Sequence, residues 1–156
     1  MENNKLILLS VDLNAQMMDI RSIHQKLVDR SARLQSDDQA ILESIAYQIH
    51  NLYCATEDLL KIVARYFENN ISDSSQWHSV LLQRMVTEIP NIRPAFLTTA
   101  TYSLLSNLKG FRHFFRHAYG ATIEYEQLKG NLDKSLRLII YLESDLNQFV
   151  AKLSEE

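Results

Sequence analysis

Between Lys5 and about Leu34 the apolar positions Leu6, Leu9, Leu13, Met17, Ile20, Ile23, Leu27 and Leu34 return at intervals of three, four or seven. That repeat lines up one face of a helix turning about 100° per residue, so the pattern predicts a long amphipathic helix. Ser36, Asp37 and Asp38 then supply N-cap chemistry, and Ile41, Ile45, Ile49, Leu52, Leu59, Ile62, Val63 and Phe67 continue the repeat to about Glu68. Two long helices separated by so short a break form an antiparallel hairpin. A polar stretch over 69–75 leads into Trp77, Val80, Leu81, Arg84, Met85 and Ile89, a shorter third helix ended by Pro90 and Pro94. The fourth helix is expected from Phe96 or Leu97 to Tyr119, with Gly120 placed as a C′ residue able to turn left-handed. After a turn over 121–126, Leu128, Leu132, Leu136, Ile139, Ile140, Leu142, Leu146, Phe149 and Leu153 predict a fifth helix, interrupted or bent near Gly130. The expected architecture is all-α: an antiparallel four-helix bundle with one additional short helix.

Composition changes little in that picture. With 156 residues, three Gly and two Pro, the chain suits one helical domain over 1–156 with a core of its own. One cysteine, Cys54, excludes an internal disulfide and fits a reducing compartment. It reads as a buried thiol of the second helix, with no basic neighbour to activate it. The apolar run Leu6 to Leu9 is too short and too acidically flanked for a signal or a membrane anchor. A cytoplasmic protein without membrane contact is expected.

Charge changes more. The segment 89–123 holds Arg93, Lys109, Arg112 and Arg116 and no acid, so it carries +4, leaving −7 for the rest of a chain whose net is −3. Such asymmetry points to a localised site for phosphate. Within the segment, Gly110 to Gly120 concentrates Arg112, His113, Arg116, His117 and Tyr119. With Arg112 set at zero on a helical wheel, Arg116, Lys109, His113, His117 and Tyr119 fall on a basic arc from about 340° to about 140°, and Phe114, Phe111, Leu104, Phe115 and Leu108 on an opposite apolar arc. Leu105 interrupts the basic arc, which implies that part of this face is also packed, against a second copy of the chain.

Arginine, always charged, suits a scissile phosphate and the charge that builds on it, and histidine exchanges protons near neutral pH. Arg112 and His117 together can therefore promote attack of a ribose 2′-hydroxyl on the adjacent phosphate of RNA. His113, Arg116 and Lys109 support that role or bind RNA phosphate. One His117 cannot be acid and base at once, so the second group is His113 or the His117 of another copy, across a twofold cleft. Other readings are weaker. His113 and His117 have the spacing of a metal-binding pair, but Phe114 stands where an H-E-x-x-H site needs its glutamate and the arginines repel a cation. Neither a metal nor another cofactor is expected. Trp77 with His78 reads as a core anchor with a polar neighbour in preference to a base-stacking platform.

Arg112, four residues, His117, one residue and Tyr119 make R-x4-H-x-Y, and here the chain resembles the HepT-like toxins, a branch of the HEPN ribonuclease superfamily. Trp77-His78, Leu81-Leu82, Met85 and Ile92-Arg93-Pro94 resemble the stretch those toxins carry before the motif helix, and His113 matches the polar residue that follows the motif arginine. The resemblance implies a homodimeric, metal-independent endoribonuclease, the toxin of a type VII-like toxin–antitoxin pair. It also implies a partner, an MNT-type nucleotidyltransferase antitoxin that adenylylates the motif tyrosine, here Tyr119. Some HEPN proteins bind nucleotides or partners without catalysis, and that is the alternative reading.

Overall fold

In the computed structural model, residues 1–68, 77–117, 120 and 122–155 are described. They form α1 (Asn3–Ser31), α2 (Gln39–Phe67), α3 (Trp77–Met85), α4 (Thr99–His117) and α5 (Tyr125–Ser154). Four long helices and a short one is the predicted arrangement. Helix α2 is its axis, because its buried side chains run from Ile62 through Leu59, Leu52 and Leu42 to Ala46, about 200° of its circumference, and a helix buried over more than half its surface has to be surrounded. It packs against each of the other four, while α5 closes the bundle against α1 and α4, and α3 lies against α2 and α4. Edge-on ring contacts join the core at one end, where Phe149 of α5 meets Phe96 and Phe67 at 5.0 and 6.1 Å between centroids.

Local chemistry explains where the helices begin and end. Asp38 caps α2, its carboxylate accepting the Ile41 amide. Helix α1 stops at Ser31, short of the expected Leu34, because the chain tightens into turns there, with Arg33 N–H donating to Arg30 and Leu34 N–H to Ser31. Helix α3 stops at Met85 and not near Ile89. The Met85 carbonyl, which would accept from Ile89 in a continuing helix, accepts instead from Phe96 and Leu97 at 2.9 Å each. The loop so made folds back on itself, with Ile89 and Arg93 exchanging two backbone bonds of 3.0 Å around Asn91 at φ 66. Helix α4 then starts at Thr99, later than predicted, since Asp145 of α5 accepts from both the amide and the hydroxyl of Thr98.

Two glycine expectations divide. Gly120 takes φ 81, the left-handed conformation expected of it. Gly130, expected to interrupt α5, does not: the helix is continuous from Tyr125 to Ser154. Leu128 and Leu132 on either side of it are 1% and 2% exposed, so both flanking turns are pinned to the core and Gly130 only faces out.

The loop is held by an ion cluster. Arg93 is 1% exposed, and its guanidinium donates to Glu68 through Nε and Nη2, to the Thr87 and Pro94 carbonyls through Nη1 and to the Arg84 carbonyl. Glu68 also accepts from Arg84 Nε at 2.7 Å. Burial pushes the Glu68 carboxyl up, but the hydrogen bonds and charges of Arg84 and Arg93 outweigh it and hold the group below its ordinary value. The Arg93 charge, expected to contribute to a phosphate site, is instead engaged by Glu68.

Candidate functional site

Helix α4 carries the basic residues, but it does not turn them all the same way. On the wheel, Thr101 and Leu105 lie within about 20° of Arg112, and both are fully buried. Arg112 therefore faces inward, and its side chain is only 15% exposed. This corrects the expected wheel, which put Arg112 on an exposed arc and explained Leu105 by contact with a second copy. Leu105 is covered within the chain itself. The reason is on α2, where Glu57, with its side chain 4% exposed, offers a carboxylate that a buried arginine can answer. Arg112 Nε stands 3.9 Å from Glu57 Oε1, too far for a hydrogen bond, and has no other partner.

The other oxygen of the same carboxylate is taken from a third helix. His78 Nδ1, at the start of α3, lies 2.5 Å from Glu57 Oε2. Its ring packs on Trp77 at 4.0 Å between centroids, and Lys61 of α2 sits over the Trp77 ring at 4.3 Å. Trp77 is partly buried against the core, as the anchor reading required. His78 is more than its polar neighbour. Next along the junction, Lys109 of α4 donates to Ser79 Oγ of α3 at 2.6 Å, so Lys109 is half-committed to structure.

Around Glu57 the α2 stripe is polar: His50, Tyr53, Cys54, Glu57 and Lys61 recur at three and four. The Tyr53 hydroxyl is buried beside Glu57, whose charge it feels, without a hydrogen bond of good geometry. Burial and then Glu57 hold its phenol far above the ordinary range. His50 lies against Phe115 at 5.1 Å between centroids. Burial, then the Arg112 and Arg116 charges, push it below the ordinary histidine value. Cys54 is half-exposed, with its Sγ 3.6 Å from His50 Nε2. The expected buried thiol without a basic neighbour is corrected on both counts, because Cys54 is only partly covered and His50 comes one turn before it on the same helix.

The remaining motif residues face out. His113 and His117 are exposed, with their rings 4.6 Å apart, and Arg116 is exposed beside them. Tyr119 lies outside the described residues. The structure thus gathers Arg112 with Glu57 and His78 at a junction of three helices, and the His113–His117 pair one face further round α4. Glu57 and His78 were missed in the sequence. The available signal was a carboxylate inside an apolar repeat, at a position that α2 has to bury.

A family model described as HepT-like protein matches residues 44–153. The chain belongs to the HepT-like family. That assigns it to the HEPN superfamily and to a toxin-type class whose members are generally ribonucleases with an antitoxin partner. Comparison with curated proteins and with solved structures gave no match. No described helix is long and apolar enough to cross a membrane.

Proposed function

We propose that this HepT-like protein is the toxin of a type VII-like HEPN/MNT pair, a metal-independent endoribonuclease working at a homodimer cleft and silenced by adenylylation of Tyr119. What supports the reading is the presence of both Arg112 and His117, five residues apart near the end of α4, in a chain of this family, with the Arg112 guanidinium drawn toward the buried Glu57 carboxylate. Arg112 binds the scissile phosphate and stabilises its developing charge. The 2′-hydroxyl attacks that phosphate. A P–O2′ bond forms, the P–O5′ bond breaks, one group takes the 2′ proton and another delivers a proton to O5′, leaving a 2′,3′-cyclic phosphate and a 5′-hydroxyl. His117 is one of the two proton carriers. His113, Arg116 and Lys109 hold neighbouring phosphates, although Lys109 must first leave Ser79.

In adenylylation the Tyr119 phenol attacks the α-phosphate of ATP in the nucleotidyltransferase, losing its proton and releasing pyrophosphate. The attached anionic phosphate then competes with RNA for the arginines. The test is cleavage of RNA by the purified chain with and without EDTA, and by His117→Ala. We expect metal-independent cleavage, lost in a His117→Ala protein whose helix content and melting are unchanged, and Tyr119→Phe active but no longer silenced by the transferase with ATP. A folded His117→Ala protein as active as wild type overturns the assignment. Wild-type protein that binds RNA without cutting it is the non-catalytic HEPN module instead.

A further inference from the structure

The ribonuclease reading leaves one proton carrier unassigned, and the junction of α2, α3 and α4 contains an imidazole that it does not use. His78 and Arg112 come from different helices, yet each addresses its own oxygen of the Glu57 carboxylate, at 2.5 and 3.9 Å. A phosphate held by Arg112 is therefore beside His78. The Glu57 contact also decides which ring nitrogen is available. With the carboxylate ionised, Nδ1 carries the hydrogen that faces it, and Nε2 is left with the lone pair. A carboxylate behind one nitrogen and a reacting proton at the other is the arrangement by which an acid fixes the tautomer and orientation of a catalytic histidine. The His78 side chain is one-fifth exposed, enough for a ring edge to meet a ligand. Trp77 packs against it with the two rings tilted by 34° and their centroids 4.0 Å apart, which limits how far the ring can turn.

We infer that His78 is a catalytic residue of the RNA cleavage proposed above, taking the proton of the 2′-hydroxyl at Nε2, with Glu57 as its positioning residue. His117 then delivers the proton to the departing O5′. Proton and bond changes are those of the cyclising step, now with a named group at each end. Among the described residues, the charged groups at this junction are Glu57 and Lys61 from α2, with Asp58 paired to Lys61, and Lys109 and Arg112 from α4. The cations suit an anionic substrate, and Glu57 and Asp58 are each engaged by a partner. This inference rests on the ribonuclease reading but not on which copy of the chain provides His117.

The experiment compares wild type, His78→Ala, His78→Gln and Glu57→Gln in cleavage of one RNA across pH, with melting curves for each. The amide of His78→Gln can still donate to Glu57, so that variant folds, but it cannot carry a proton. We expect both His78 variants to lose kcat by roughly a hundred- to ten-thousandfold with KM little changed. One limb of their pH–rate profile should vanish, and added imidazole should restore part of the His78→Ala activity. Glu57→Gln loses less and keeps both limbs. A folded His78→Gln protein within threefold of wild-type kcat overturns the inference and leaves the ribonuclease reading standing. So does a loss that imidazole does not repair and that leaves both limbs in place, since that marks a structural role. If wild type cuts no RNA at any pH, the ribonuclease reading fails first.

Discussion

Replacing Arg93 with methionine tests whether the loop between α3 and α4 is held by one buried charge. Methionine matches much of the side chain's length but offers no donor. The Thr87, Pro94 and Arg84 carbonyls lose their partner, and Glu68, 4% exposed, is left with the half-exposed Arg84 alone. Breaking a buried pair from one side costs about 3–5 kcal/mol. The surviving Arg84 contact keeps Glu68 from being wholly unpaired, so we expect the lower part of that range, about 3–4 kcal/mol. For a chain of this size each kcal/mol moves Tm by roughly 2–4 °C, which makes the expected fall roughly 6–16 °C. Urea and thermal melts followed by circular dichroism measure it. The double variant Glu68→Gln, Arg93→Met removes the stranded charge as well, so its cost should be clearly less than the two single costs added. An Arg93→Met protein within about 1 kcal/mol of wild type, or additive costs, would refute the account.

Two further predictions concern stability. Glu68 has a folded-state value below its ordinary 4.5, and His50 one below its ordinary 6.5. In each case the unfolded chain binds the proton first, so both contributions are present above the ordinary value and are lost as pH falls. Unfolding free energy from urea melts should therefore decline first below about pH 6.5, a decline that His50→Gln removes, and again below about pH 4.5; a flat profile from pH 7 to 5 contradicts the His50 part. Gly130→Ala should stabilise the protein by up to about 1 kcal/mol, because a Cβ there meets nothing within 4 Å and α5 is helical on both sides; a lower Tm would show that the glycine relieves something.

Period was legible and partnership was not. The recurrence of Leu, Ile and Met at three and four is a local property of each helix, and all five helices stand where it puts them. Their ends depend on distant groups. The early stop of α3 depends on the amides of Phe96 and Leu97, and the start of α4 on Asp145, far along the chain in α5. The same limit applies to charge. Counting acids within 89–123 could not see that Glu57 of α2 and Glu68, the residue that caps its C-terminus, reach into that segment and meet Arg112 and Arg93.

What remains of the basic segment bears on how the site is completed. With Arg93 enclosed by the loop, Lys109 bonded to Ser79 and Arg112 turned toward Glu57, the outward positive charge of the segment rests on Arg116, beside the His113–His117 pair. Arg112 and His117 lie five residues apart, about 140° round the helix. One looks into the α2–α3 junction and the other away from it. Under the proposed mechanism, a phosphate on Arg112 lies on the His78 side of α4 and not on the side of the same helix's His117. His117 can reach that phosphate only if the RNA wraps across the end of α4, or if a second copy brings its own α4 end over the junction. The inward turn of Arg112 removes one argument for a dimer, since Leu105 needs no second chain to cover it. It supplies another, because a motif whose two members face apart on one helix is brought together most simply by a twofold axis.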